Sequence, residues 1–435
     1  MTDSATFNAG LLKFIGSSPT PFHAVANLSE AFTAAGFVRL ASESATWNLE
    51  AGKGYFLTRN DSALIAFRLG RLAPEKAGVH LAGAHTDSPC LKLKPNPEIS
   101  NNGYQQLGVE VYGGALLNPW FDRDLSIAGK VSYLTAKKEL HSCLLDFVDP
   151  IAIIPSLAIH LDRDVNNQRS INAQQHLAPV ILQLPENQQF SFDELLLEHL
   201  HKSGHPDAEK ILAHELSLYD TQKPALVGVQ KQFIAGARLD NLLSCYLICH
   251  SLMQSDATQT SLVVCNDHEE VGSASTSGAQ GPFLTSVLQR LLVHTAEKPG
   301  SWDQMVDNSL MLSVDNAHGV HPNFADKHDA RHAPRLNAGP VIKINANQRY
   351  ASNTDSVAQF KAWCDSAGVS TQSFVMRSDL ACGSTIGPIT ATQTGINTVD
   401  VGVPTFGMHS IRELAGAADA EALARVITAF FSRKK

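Results

Sequence analysis

Residues Ser261 to Gly272 read SLVVCNDHEEVG, and the fold turns on this stretch. Leu262, Val263, Val264 and Cys265 form a short continuous apolar run, the pattern of a strand buried on both faces of a parallel sheet. The run stops at Asp267, His268, Glu269 and Glu270, and open α/β sheets place their chemistry just beyond the carboxyl ends of such strands. Adjacent glutamates repel, so a fold that holds both either supplies a cation or leaves them in water. Taken alone, the four residues fit a solvated acidic turn as well as a ligand site. Ligand-type residues in matching contexts elsewhere decide between the two.

Such contexts recur along the chain. Ser62–Leu69 and Gly78–Ala84 are strand-like runs, and the second ends in His85-Thr86-Asp87. By itself this tripeptide is more ordinarily a hydrogen-bonded strand end than a metal ligand with its orienting carboxylate. In Ala237-Arg238-Leu239-Asp240-Asn241 the aspartate stands at the start of an apolar helix, where an N-cap is the usual role. Ser309–Val314 reads as a strand followed by Asp315-Asn316-Ala317-His318-Gly319, and Thr398–Val401 as a strand with Gly407-Met408-His409-Ser410 beyond it.

Helical spacing over Phe7–Ser17, Pro21–Gly36, Phe192–Ser203, Phe283–His294, Val357–Ala367 and Asp419–Ser432 completes an α/β texture. That texture is interrupted. After Leu93-Lys94-Pro95 the residues Leu107, Val109 and Val111 alternate with polar neighbours, and strand-like runs continue through Ile127–Leu134 and Ile151–Leu161, in antiparallel style. The expected organisation is α/β: a mixed-sheet catalytic domain with helices on both faces, residues 1–92 and 233–435, interrupted by an inserted β-rich domain at 93–232.

Composition narrows the function classes. A chain of 435 residues with 17% charged side chains is large and poor in charge against the roughly 25% of ordinary soluble domains, which favours extensive burial. The net charge of −8, with no basic block, argues against a nucleic-acid partner. Neither a secretory leader in MTDSATFNAGLLKF nor an apolar run of membrane-spanning length is visible, so the expectation is a soluble, cytoplasmic protein. The seven cysteines lack CxxC spacing and read as reduced thiols rather than a thiolate metal site.

His85, Asp240, Glu270, Asp315 and His409 are imidazole and carboxylate ligands of the kind zinc and related divalent ions take. Each lies at or after a strand end or a strand-to-helix junction. Five such groups, with one carboxylate bridging, would hold two ions about 3.5–4 Å apart. Glu269, one residue before a proposed ligand, then has the position of a general base.

The segments AGAHTDSP, ARLDN, DHEEVGS, VDNAHGVHPN, DKHD, IKINANQRYASN, CGSTIGP and GMHSIRE occur in this order between about His85 and Glu413. Together they resemble the aspartyl aminopeptidase family of dinuclear zinc peptidases. The resemblance implies a metal-dependent aminopeptidase that removes N-terminal Asp or Glu from peptides. In it His85 and Asp315 would bind one ion, Glu270 and His409 the other, and Asp240 would bridge. Glu269 would act as the base and Asp87 would support the metal-binding region. Lys343, with Tyr350 nearby, would recognise the acidic side chain, a sensible pairing of ammonium with carboxylate. His160, in the insert, would reach a neighbouring subunit's active site and steady the tetrahedral intermediate. The insert would build dimers that assemble into a dodecamer. The ions would be zinc, with cobalt or manganese as substitutes on the same ligands. A broader aminopeptidase, or a carboxypeptidase or deacylase on the same scaffold, is the alternative.

Overall fold

The computed structural model describes residues 4–44, 46–185, 188–256, 258–294 and 298–432. The chain divides into two compact units. The first is Met1–Ser88, Pro224–Met408 and Glu413–Lys435; the second is Pro89–Lys223 with His409–Arg412.

The first unit is built on a nine-stranded mixed sheet. Its strands lie in the order Val38–Arg39, Gly54–Arg59, Ala63–Arg68, Thr260–Asn266, Val79–His85, Leu310–Val314, Asn397–Gly402, Val341–Lys343 and Gln372–Phe374. Thr260–Asn266, Val79–His85, Leu310–Val314 and Asn397–Gly402 run parallel, while Ala63–Arg68 and Val341–Lys343 pair antiparallel to their parallel neighbours. The continuous apolar run of the opening stretch follows from burial on both faces. Val263 and Cys265 enter one core cluster with the helices Leu239–Met253 and Asp419–Phe431, and Leu262 and Val264 enter another with Phe283–His294. Successive side chains of a strand point to opposite faces, so each core takes every second residue. Leu262 and Val263 are both completely removed from solvent, worth roughly 1.5–3 kcal/mol per side chain.

A five-stranded sheet, Ala225–Val227, Phe233–Gly236, Glu413–Gly416, Pro404–Phe406 and Ala317–His318, completes this unit. It carries Glu413, whose Oε2 accepts from the Asp240 backbone N–H at 3.0 Å.

The second unit is an antiparallel six-stranded sheet in the order Leu140–Asp146, Leu125–Thr135, Ala208–Asp220, Cys90–Asn101, Tyr104–Tyr112 and Val180–Gln183. Leu91, Leu107, Ile127 and Leu216 pack with Phe192, Leu196 and Leu200 of the helix Phe192–Lys202. Between Leu93 and Glu98 the register slips, at a point where Pro95 and Pro97 offer no N–H to the ladder. The mixed α/β fold with a β-rich insert agrees with the sequence expectation.

One expected strand is corrected. Ile151–Leu161 forms only isolated bridges at Ala152 and Ile153, and residues 155–160 are exposed. Pro155 removes a ladder donor there, and no neighbouring strand among the described residues takes up the remaining groups. No helix among the described residues is long and apolar enough to cross a membrane.

Candidate metal centre and active site

The parallel strands deliver their carboxyl ends side by side. Asn266 pairs in register with His85, Ser313 with Gly83, and the Thr86 N–H donates to the Asn266 carbonyl at 2.7 Å. The residues that follow, Asp267 to Glu270 and Asp315, therefore emerge beside His85. Asp240 arrives from the start of the helix Leu239–Met253. Its backbone is not helical (φ −83°, ψ 103°), nor is that of Asn241, and the N-cap position is taken by Arg238, which makes no side-chain cap. Asp240 thus does not stand at the N-cap position. Its carboxylate turns instead toward His85, while Ser88 Oγ donates to its carbonyl at 2.5 Å.

Five predicted residues converge. His85 Nε2 lies 3.5 Å from Asp240 Oδ1, 3.5 Å from Asp315 Oδ1 and 4.0 Å from Glu269 Oε2. His85, Asp240 and Asp315 offer ligand atoms all within 4.8 Å of one another, as do His85, Glu269 and Glu270. On the other side of the ring, His85 Nδ1 is 3.0 Å from the Asp87 carbonyl oxygen. A carbonyl only accepts, so Nδ1 carries a hydrogen and Nε2 is the atom that faces the acids. The Asp87 side chain spans the next turn: Oδ1 accepts from the Glu269 N–H and Oδ2 from the Glu270 N–H, both at 3.1 Å.

The electrostatics follow from one imidazole among buried acids. Burial alone would lower the His85 pKa, but Asp240, Asp315 and Asp87 hold it well above the ordinary value. Burial pushes the Glu269 carboxyl up to about 7; His85 opposes this, and the charges of Asp315, Asp240 and Asp87 add to it. Glu270 is likewise raised well above the carboxylate range, by burial first and then by Asp240. Asp267, behind Asp87, is raised to about 6 by burial and by that neighbour. A buried cluster with more acids than its one imidazole can neutralise favours divalent cations, and imidazole plus carboxylates is a donor set that zinc accepts. The residues present fit such a group.

Lys343 and Tyr350 lie beside this cluster. Lys343 is 2% exposed; its Nζ donates to Asp315 Oδ2 at 3.1 Å and to the Asn316 carbonyl at 3.0 Å, and sits 5.3 Å from the Tyr350 ring centroid. The ammonium is therefore buried at the strand end and not solvated.

His409 and His160 belong to the second unit. His409 is half-buried in a left-handed conformation (φ 68°), with Nδ1 3.2 Å from the Gly114 carbonyl. His160 is exposed in a turn.

Several supporting residues lay beyond the sequence reading. Glu413 and Ser88 fix the Asp240 backbone, and the Cys245 thiol donates to the His85 carbonyl at 3.0 Å. Glu413 sits 173 residues from its partner, so nothing local pairs it with Asp240. Ser88 and Glu413 nevertheless fall inside the segments AGAHTDSP and GMHSIRE, where a motif-based search could have found both.

The chain is similar to known proteins along nearly its whole length. Residues 14–431 match the family described as Aminopeptidase I zinc metalloprotease (M18). A probable M18 family aminopeptidase 2 of Pseudomonas savastanoi pv. phaseolicola is 54% identical over 430 residues, covering 98% of each chain. Among solved structures, a chain of the cryo-EM structure of the Ape4 and Nbr1 complex is 37% identical, with a TM-score of 0.94 over 98% of this chain and 86% of that one. The S. cerevisiae mApe1 dodecamer is 29% identical, with a TM-score of 0.84 over 97% of this chain and 95% of that one. With its convergent strand ends and its imidazole–carboxylate cluster, the chain belongs to the M18 family of zinc metallo-aminopeptidases.

Proposed function

We propose that this aminopeptidase removes N-terminal Asp or Glu from peptides, using two divalent ions and Glu269 as general base. The observation that carries the reading is Glu269. Its carboxylate stands 4.0 Å from His85 Nε2, its backbone is pinned by Asp87, and burial raises its pKa to about 7, where a base works most efficiently near neutral pH. Two bound divalent ions would make a water acidic and polarise the peptide carbonyl.

His85 and Asp315 would hold one ion, Glu270 and His409 the other, and Asp240 would bridge. Zinc is the first choice, with cobalt and manganese as substitutes. Glu269 accepts the proton of the attacking water and returns it to the departing amine. Asp87 keeps Glu269 aimed through the backbone. Lys343, with Tyr350 across its ammonium, receives the substrate's acidic side chain. His160 of a neighbouring subunit steadies the oxyanion, which suits its exposed turn.

Residues 93–232 act as the dimerisation insert between the catalytic segments 1–92 and 233–435, and the dimers assemble further, in keeping with the dodecameric mApe1 relative. All seven cysteines are free thiols, which suits the reducing cytoplasm. A panel of aminoacyl chromogenic substrates, run with and without chelator, tests the proposal. Hydrolysis confined to Asp and Glu derivatives and abolished by chelation supports it. Equal hydrolysis of neutral derivatives favours the broader aminopeptidase, and activity on blocked N-termini favours a carboxypeptidase or deacylase.

A further inference from the structure

The mechanism leaves His268 without a task, although it stands between Asp267 and the proposed base. The turn that presents Glu269 is conformationally costly. His268 has φ 62°, Gly272 φ 95° and Ser273 φ 63°, so three left-handed residues fall within six positions. For a side chain other than Gly such a conformation is uncommon and persists when its surroundings fix it.

The His268 ring and backbone provide that fixing. His268 Nδ1 and Ser275 Oγ lie 2.8 Å apart, and Ser277 Oγ is 3.4 Å from the same nitrogen. Ser275 Oγ also accepts from the Gly278 N–H at 2.9 Å. The His268 N–H donates to Asp267 Oδ1 at 2.8 Å, while its carbonyl accepts from the Ser273 N–H at 2.7 Å. The Asp267 N–H closes the loop on the Ser277 carbonyl at 3.1 Å. Asp87 holds the turn from one side through the Glu269 and Glu270 N–H groups. The other side is held through the ring of His268.

We propose that His268 is a positioning residue: through Ser275 it locks the left-handed turn that aims Glu269, without itself touching substrate. This rests on Glu269 being the base. Because the ring orients a proton-moving group and not the bound peptide, its loss acts on kcat. Asparagine is the conservative replacement, since its short polar side chain tolerates the left-handed region and can reach a local hydroxyl.

The test compares His268→Ala, His268→Asn and Ser275→Ala in the full chain. It measures kcat, KM, bound metal per chain, and amide hydrogen exchange across residues 267–278 of the metal-free protein. Expected for His268→Ala is a tenfold or greater fall in kcat with KM within twofold and metal content unchanged, together with faster exchange in the turn. His268→Asn recovers to within about threefold of the parent. Ser275→Ala gives a smaller kcat loss of the same kind, and it stands in for His268→Ala should that variant not fold. A kcat within twofold of the parent, equal losses in the Ala and Asn variants, or a loss that tracks missing metal overturns the proposal. Glu269→Gln separates the two claims. If that variant keeps full activity, the base assignment falls and His268 is judged on exchange alone: acceleration in His268→Ala but not in His268→Asn sustains the proposal, and its absence overturns it.

Discussion

The Asp87 carboxylate bridges two consecutive backbone amides, its Oδ1 and Oδ2 each 3.1 Å from the N–H of Glu269 and of Glu270. One side chain thereby sets both residues of the adjacent glutamate pair. Asp87→Asn leaves one oxygen for two donors and turns an NH2 toward the other. With hydrogen bonds to charged groups worth about 1.5–3 kcal/mol, we expect kcat/KM to fall roughly 10- to 100-fold. Steady-state kinetics beside a thermal scan check this, and activity within twofold of the parent would remove Asp87 from the machinery.

Lys343→Ala tests substrate choice. Its ammonium is shared between Asp315 and the Asn316 carbonyl, so the variant removes the cation proposed to meet an acidic side chain. Hydrolysis of Asp and Glu substrates should drop at least tenfold more than that of Ala or Leu substrates, about 1.4 kcal/mol of discrimination. A uniform drop would mean that Lys343 serves Asp315 alone.

Gly402 is required by close approach of backbone. A Cβ at this position would overlap the Asp315 carbonyl oxygen, which cannot yield without moving the proposed ligand itself. Gly402→Ala should therefore lose metal affinity together with stability. Metal analysis after dialysis against limiting zinc reads this directly, and full metal retention would contradict it.

Asp419 predicts a pH dependence of stability away from the metal site. Its carboxylate accepts from the Asn337 N–H at 2.6 Å and the Gly339 N–H at 2.8 Å. Burial nevertheless raises its pKa from 3.8 to about 6, against the effect of these two bonds. The folded pKa is raised, so the folded state favours the proton, and this contribution is present below about pH 4 and lost as pH rises through 6. Such a difference between the folded and unfolded carboxyl amounts to about 3 kcal/mol at most. Relative to Asp419→Asn, which cannot ionise, the parent should lose stability between pH 4 and 7 in denaturant unfolding. A difference that stays constant with pH would refute it.

Much of the architecture was legible wherever one local pattern acts. The apolar runs ending at His85, Asn266 and Val314 are strands because both faces are buried, and Pro21 and Asp419 stand at observed helix starts. Tertiary pairing overrode the rest. AEKILAHELSLYD, Ala208–Asp220, is rich in helix formers, yet it is a long strand held between Leu125–Thr135 and Cys90–Asn101. At the site, residue types at strand ends pointed to His85, Asp240, Glu269, Glu270 and Asp315. The groups that steady them, Glu413, Ser88 and Ser275, act through backbone contacts that only the folded chain creates.

Glu269→Ala in the zinc-loaded protein decides whether Glu269, as proposed, moves the proton and binds no metal. General-base catalysis contributes roughly 10²–10⁴-fold, so kcat should fall by at least two orders of magnitude while bound zinc per chain equals that of the parent. Retention of kcat within tenfold at full metal content, or loss of zinc in step with activity, would contradict the account.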